Sequence, residues 1–269
     1  MDRFVSPLLA LITSFSATAS DTLSRPEWQK HFDAKGVRGT FVLFEPQKDR
    51  YLMFNEARAR QRHLPASTFK IANALIGLEV GSITDENEVF PWDGKPKLRR
   101  AWERDQALAS GMRESTVWMF QEIARRTGKA RMKEWLDRLD YGNQDMAGGI
   151  DLFWLQGALR ISAVEQVDLL RKLADGELPM SQRSQRLVKK ALLVEKRDRY
   201  TLYAKTGSSG AAKNPVSWWI GWVERQGRPV GYFAMNFTPA KGTPFDTRFD
   251  IARAILAEAG VLPIGSRPS

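Results

Sequence analysis

A chain of 269 residues with 43% hydrophobic and 27% charged side chains can bury a substantial core under a polar surface, as one large domain or two small ones. Its net charge of +10 admits an acidic partner, but the basic residues are spread along the chain and form no nucleic-acid motif, so no nucleic-acid partner is expected. No cysteine and only two histidines, His31 and His63, exclude a thiol nucleophile, a disulfide framework, an iron–sulfur cluster, and any zinc site built on cysteines or on three histidines.

Residues 1–19 read as a secretory signal, with Arg3 before an apolar stretch from Pro7 to Phe15 and Ala17-Thr18-Ala19 as the cleavage site before Ser20. That stretch is too short to span a bilayer. The expected product is an exported domain, residues 20–269, with no membrane association after cleavage. Ser24-Arg25-Pro26-Glu27 has the form of a capping box and predicts a helix to about Phe32. Residues 39–44 and 51–55 read as the strands of a hairpin around Pro46-Gln47-Lys48-Asp49. A helix is expected from Ser67, with Ile71, Leu75 and Leu78 on one stripe and Gly81 as its stop. An irregular section follows to about Trp102, then helices over 117–126 and 129–139. Ser162 and Glu165 form a second capping box for a helix to Asp175, ended by Gly176. A basic amphipathic helix covers 181–193. Strands follow at 200–205, 217–225 and 229–237, the last two joined by Gln226-Gly227, before a final helix over 245–259. Strands at both ends with helices between them predict an α/β fold of the α+β type. One antiparallel sheet would carry an inserted helical lobe, with a cleft where the two meet.

Ser67-Thr68-Phe69-Lys70 places a hydroxyl three residues before an amine, on one face of a helix. At the helix start, free backbone N–H groups can hold an oxyanion. This is a nucleophile with its own base and needs no histidine. His63 precedes Pro65 and is expected on a separate element. Taken alone, Ser67 reads more readily as a helix cap, the commoner role for a serine there, and one Ser-x-x-Lys is expected by chance in about every chain of this size. Ser115 likewise could cap the helix that begins near Val117.

Order and context separate these readings. Ser67-Thr68-Phe69-Lys70, Ser115-Thr116-Val117, Tyr141-Gly142-Asn143, Phe153-Trp154-Leu155, Lys205-Thr206-Gly207 and Trp218-Trp219-Ile220-Gly221-Trp222 follow one another in the chain. Ser-x-x-Lys with a later Lys-Thr-Gly marks serine β-lactamases and penicillin-binding proteins, with Ser-Asp-Asn between them in class A. Here Val117 stands where that amide would be. The set resembles the class D β-lactamases, the oxacillinases, over nearly the whole mature chain.

The resemblance implies a serine β-lactamase or penicillin-binding-protein-like fold. It implies hydrolysis of a small-molecule β-lactam through an acyl-enzyme on Ser67, conferring antibiotic resistance. An ordinary lysine is neutral in only about one molecule in 2,500 at pH 7, and burial among apolar groups such as Phe69, Val117 and Leu155 lowers its pKa by up to ~3–5 units. In the family this lysine, here Lys70, is N-carboxylated by carbon dioxide and serves as general base, with the Trp154 indole N–H holding the carbamate. Ser115 would shuttle a proton to the departing nitrogen, and Lys205 would supply positive potential. The N–H groups of Ser67 and Ser208 would form the oxyanion hole, with Val117 among the substrate-binding residues. Thr206 and an arginine of the last helix would bind the substrate carboxylate: Arg248 is the better match, with Arg253 as the alternative. The tryptophans at 218, 219 and 222 and the Tyr141 turn are assigned to architecture. No organic cofactor and no metal are expected, and the assembly is a monomer or homodimer. The competing readings are a penicillin-sensing receptor domain that acylates without turnover, and a peptidoglycan DD-peptidase.

Overall fold

A computed structural model describes residues 20–210 and 214–265, so the expected signal segment lies outside the described residues. In chain order the strands are Asp21–Ser24 (β1), Arg38–Glu45 (β2), Arg50–Phe54 (β3), Leu193–Arg197 (β4), Tyr200–Ser208 (β5), Ser217–Arg225 (β6) and Arg228–Thr238 (β7). The helices are Gln29–Asp33 (α1), Glu56–Arg60 (α2), Lys70–Glu79 (α3), Leu108–Glu114 (α4), Val117–Thr127 (α5), Lys129–Arg138 (α6), Ala163–Asp175 (α7), Gln182–Ala191 (α8) and Thr247–Glu258 (α9).

One sheet with the strand order β1-β3-β2-β7-β6-β5-β4 unites the two ends of the chain through the β2–β7 pairing. Every neighbour pair is antiparallel except β1 and β3, so the expectation of a purely antiparallel sheet is corrected at that edge. The central strands read as unbroken apolar runs because both faces are covered. Along β2, Val42 and Phe44 face the helical lobe while Phe41 and Leu43 pack with α1 and α9. On β6, Trp218, Ile220 and Trp222 face the lobe, and Trp219 and Val223 face the other layer. The strand period of two thus divides the tryptophan cluster between two cores. The helices from α2 to α8 lie between β3 and β4 in sequence and form the inserted lobe.

The Ser24 capping box does not form. Ser24 is spent in β1, paired with Met53, and the Arg25 N–H continues that pairing to the Met53 carbonyl. The helix therefore opens as a 3₁₀ turn, Pro26–Trp28, without a side-chain cap, and Glu27 pairs with Arg25 instead. Ser162 does cap α7: its hydroxyl accepts from the Glu165 N–H at 3.2 Å and Glu165 returns the bond to the Ser162 N–H at 2.8 Å. Residues 192–193 leave the predicted basic helix, and β4 begins at Leu193.

The Tyr141-Gly142-Asn143 turn closes the lobe over the first core helix. Gly142 has φ +56°, and a Cβ there would lie 2.0 Å from the Arg160 carbonyl oxygen. Asn143 binds the Ala158 carbonyl at 2.9 Å and the Arg160 N–H at 2.8 Å, while the buried Tyr141 ring meets Phe69 edge-on at 5.4 Å. Gly142→Ala combines left-handed strain with a backbone clash, and an expected loss of about 3 kcal/mol would appear as a lower urea midpoint at unchanged slope.

Candidate active site

Ser67 lies in a 3₁₀ turn, Ala66–Phe69, and the α-helix begins only at Lys70. Residues three apart eclipse in a 3₁₀ turn, which aligns Lys70 over Ser67 more directly than an α-helix would. Lys70 Nζ and Ser67 Oγ are 2.6 Å apart. The turn is held from below. Thr68 Oγ1 donates to the Pro65 carbonyl at 2.8 Å and accepts from Gln166 Nε2 of α7 at 2.7 Å. Phe69 is boxed by Tyr141, Phe153 and Trp154, with ring centres 5.4, 5.0 and 5.2 Å away. Immediately before the nucleophile, the buried Ala66 takes φ +49°. A left-handed alanine costs about 1–2 kcal/mol, and it is retained where the Pro65–Thr68 bonds over-determine the turn.

Ser115 closes α4 in the left-handed region, φ 56° and ψ 44°. It does not cap α5, whose N-terminal flanking residue is Thr116. Its hydroxyl instead stands between two amines, 3.2 Å from Lys70 Nζ and 2.9 Å from Lys205 Nζ. Lys205 also donates to the Thr206 carbonyl at 3.0 Å. Ser67, Lys70, Ser115 and Lys205 therefore form one chain of polar atoms contributed by the Ser67 turn, the α4–α5 junction and β5.

Lys70 is fully buried and Lys205 nearly so. Burial holds the Lys70 amine well below the ordinary lysine range, and the cations of Lys205 and Arg99 push it further down. Burial, with Arg248 and Arg99 nearby, brings Lys205 to about 7. Neither amine has a carboxylate partner among the described residues. Lowering of this kind favours the neutral amine, the form that can accept a proton. Val117, the first residue of α5, is half-buried, and the Phe120 ring of the same helix lies 5.6 Å from Lys70 Nζ.

Trp154 is completely buried between Phe69 and Phe153, and its Nε1 has no acceptor among the described residues. An unpaired buried N–H costs about 1–3 kcal/mol. Trp218 and Trp222 donate to the Leu64 carbonyl at 2.9 Å and Glu224 at 3.0 Å, as architectural residues do.

β5 brings Lys205, Thr206, Gly207 and Ser208 against the Ser67 turn. A Cβ on Gly207 would stand 2.9 Å from the Pro65 carbonyl oxygen, so glycine permits this approach. Ser208 ends the strand, opposite Ser217, and is exposed. Arg248 reaches the same strand from α9: Nη1 donates to the carbonyls of Gly207 at 2.8 Å and Trp218 at 3.2 Å, and Nε to that of Phe245 at 2.8 Å. Arg253 is engaged elsewhere, with Nη2 2.8 Å from Glu195. Geometry thus separates the two arginines: Arg248 lies at the Lys-Thr-Gly strand and Arg253 pairs with β4. His63 bridges to Ile161 through its backbone, and His31 pairs with Glu258 at 2.8 Å. Neither ring is a hydrogen-bond partner of Ser67.

A cleft of about 410 Å³ opens above Ser115, Lys205 and Thr206, large enough for a drug-sized ligand. Its walls include Arg99, Leu192–Val194, Phe245 and Phe249, none of which belongs to a sequence motif. Arg99 falls within the basic stretch Lys95–Arg100 that reads as solvated surface.

The penicillin-binding-protein transpeptidase domain matches residues 39–257. The OXA-19 β-lactamase of Pseudomonas aeruginosa is 43% identical over 265 residues, 97% of this chain and 99% of that protein. The OXA-48 β-lactamase of Klebsiella pneumoniae is 41% identical over 256 residues, 95% and 96% respectively. The crystal structure of FUS-1 (OXA-85), a class D β-lactamase from Fusobacterium nucleatum subsp. polymorphum, superimposes with a TM-score of 0.85 at 35% identity, covering 89% of this chain and all of that one. The fold, the motif order and these near full-length likenesses agree, and the chain belongs to the class D β-lactamases within the penicillin-binding-protein transpeptidase family.

Proposed function

We propose that the protein hydrolyses the β-lactam ring of penicillin-type antibiotics through an acyl-enzyme on Ser67. The observation that carries this reading is the 2.6 Å contact between Ser67 and a fully buried Lys70, whose amine burial pushes well below the ordinary lysine range. Ser67 Oγ attacks the lactam carbonyl carbon as its proton passes to the base carried by Lys70. The lactam C–N bond then breaks, and Lys205, which titrates near neutral pH, supplies the nitrogen with a proton through Ser115 Oγ. Lys205 is reset along the same chain of polar atoms. In the second half a water attacks the ester carbonyl while Lys70 takes its proton, and Ser67 leaves with a proton returned from Lys70.

The backbone N–H groups of Ser67 and Ser208 hold the carbonyl oxygen in this reading. Val117 is assigned to substrate binding in the same reading, where Thr206 and the Arg248 guanidinium take the substrate carboxylate. The unpaired Trp154 N–H beside Phe69 fits an anionic group on Lys70, so Trp154 would hold a carbamate formed there from carbon dioxide. That modification supplies an anionic base in place of a neutral amine. Export through residues 1–19 would deliver the enzyme to the periplasm as a resistance factor.

Progress curves with a chromogenic cephalosporin test the proposal. Steady consumption of many equivalents of substrate per enzyme is expected. One stoichiometric burst followed by a long-lived acyl-enzyme would overturn it in favour of a penicillin-sensing domain.

A further inference from the structure

Arg99 lies in the long irregular stretch before α4, exposed at the rim of the cleft that Ser115, Lys205 and Thr206 line. Its guanidinium stands 5.9 Å from the ring centre of Phe245 and 5.9 Å from that of Trp102. Arg248 stacks on the same Phe245 ring at 3.9 Å. The two guanidinium carbons are therefore within about 10 Å of each other, a distance over which charges still interact at moderate salt. Arg99 has no carboxylate partner among the described residues. The one acid that lines the cleft, Glu114, is already engaged by Arg113 at 3.2 Å and Arg104 at 3.6 Å.

Arg99 also opposes protonation of its neighbours. With burial as the leading cause in each case, its charge adds to the lowering of Lys70, of Lys205 and of Arg248, which sits at about 10 against the opposing pull of Asp246. An unpaired cation near the Arg248 guanidinium and a Lys205 that is protonated part of the time raises the energy of the empty site. An anion arriving in the cleft relieves that repulsion, and the gain appears only on binding.

We infer that Arg99 is a second recognition cation for the substrate carboxylate, acting across Phe245 from Arg248 at the mouth of the cleft. This rests on the β-lactam reading above. Arg248 is buried and fixed by three main-chain carbonyls, so it offers a rigid anchor. Arg99 is exposed and, among the described residues, its guanidinium is held by ring contacts, so it can follow the incoming carboxylate and strengthen capture.

The test compares benzylpenicillin with its methyl ester, which lacks the negative charge, on wild type, Arg99→Gln and Arg99→Lys. Arg99→Gln is expected to raise KM for the free acid by about three- to tenfold with kcat nearly unchanged, and to leave kcat/KM for the ester within about twofold. Arg99→Lys should recover much of the loss. Raising salt from about 0.1 to about 1 M shortens the screening length from ~10 to ~3 Å, and should erode the advantage of wild type over Arg99→Gln on the acid. Equal loss on acid and ester would overturn the inference in favour of a packing role against Trp102 and Phe245, and so would no loss on either. The same ratios can be read from acylation rates by mass spectrometry. Acylation without turnover would therefore defeat the hydrolase reading while leaving this one to be decided by the acid-to-ester ratio.

Discussion

Lys70→Ala is expected to lower turnover of benzylpenicillin by about 10²–10⁴-fold, the usual cost of losing a general base, while Ser67→Ala abolishes acylation. The two variants should differ in kind. Ser67→Ala has no nucleophile and forms no adduct. Lys70→Ala keeps the hydroxyl, so slow acylation should leave an adduct that persists, because water has lost the base that activates it. The pH profile of the wild-type enzyme should carry the same signature. The Lys70 amine is held well below its ordinary value of 10.5 by burial and by Lys205 and Arg99. A base works neutral, so activity is full above the depressed pKa and falls as pH drops through it. The stability linkage has the matching sign. Between the folded and unfolded pKa values the unfolded chain binds the extra proton, so the cost of burying Lys70 is relieved as pH rises. Stopped-flow single-turnover records at several pH values separate the acylation and deacylation limbs. A Lys70→Ala enzyme turning over at near wild-type rate would refute the role given to Lys70.

Trp154→Phe keeps an aromatic ring between Phe69 and Phe153 and removes the unpaired N–H together with part of the ring, so its stability is measured alongside its activity. A hydrogen bond to a charged group contributes about 1.5–3 kcal/mol, so the variant should need roughly 10- to 100-fold more bicarbonate for full activity. In degassed buffer it should lose activity at neutral pH, where wild type loses it only on acidification, and added bicarbonate should restore both. After ¹³C-bicarbonate is added, a carbamate resonance is expected in wild type, weakened in Trp154→Phe and absent from Lys70→Ala. An active wild-type enzyme with no such signal would leave the plain amine as base.

The elements that gather the site were legible because their signals are local. Ser67 and Lys70 are three residues apart, and the apolar run after them specifies the helix. The α7 capping box is written in Ser162 and Glu165, and the β6–β7 turn in Gln226-Gly227, where both residues take positive φ. Ser115, Lys205 and Arg248 converge through the sheet order and the α4–α5 junction, which no local pattern encodes; the family resemblance singled them out, and the fold shows how they meet. β1 and β4 escaped because edge strands of four and five residues, mostly exposed, carry no alternation of apolar and polar side chains. The Ser24 box misled because tertiary pairing with β3 used the backbone that a cap would need. Arg99 was unreadable for a related reason: a basic residue in a polar loop acquires meaning only when Phe245 and Arg248, about 150 residues away in sequence, are brought beside it.

The central claim is that Ser67 carries a transient acyl group that this site then releases. Acid-quenched mass spectrometry of the protein mixed with excess benzylpenicillin, run beside the absorbance loss of the lactam, tests it most directly. The account predicts an adduct of one penicillin mass on the peptide containing Ser67 during turnover. It should disappear when substrate is exhausted, after many equivalents have been hydrolysed. Catalytic hydrolysis with no adduct in the wild type, or an adduct mapped to any residue other than Ser67, would contradict it.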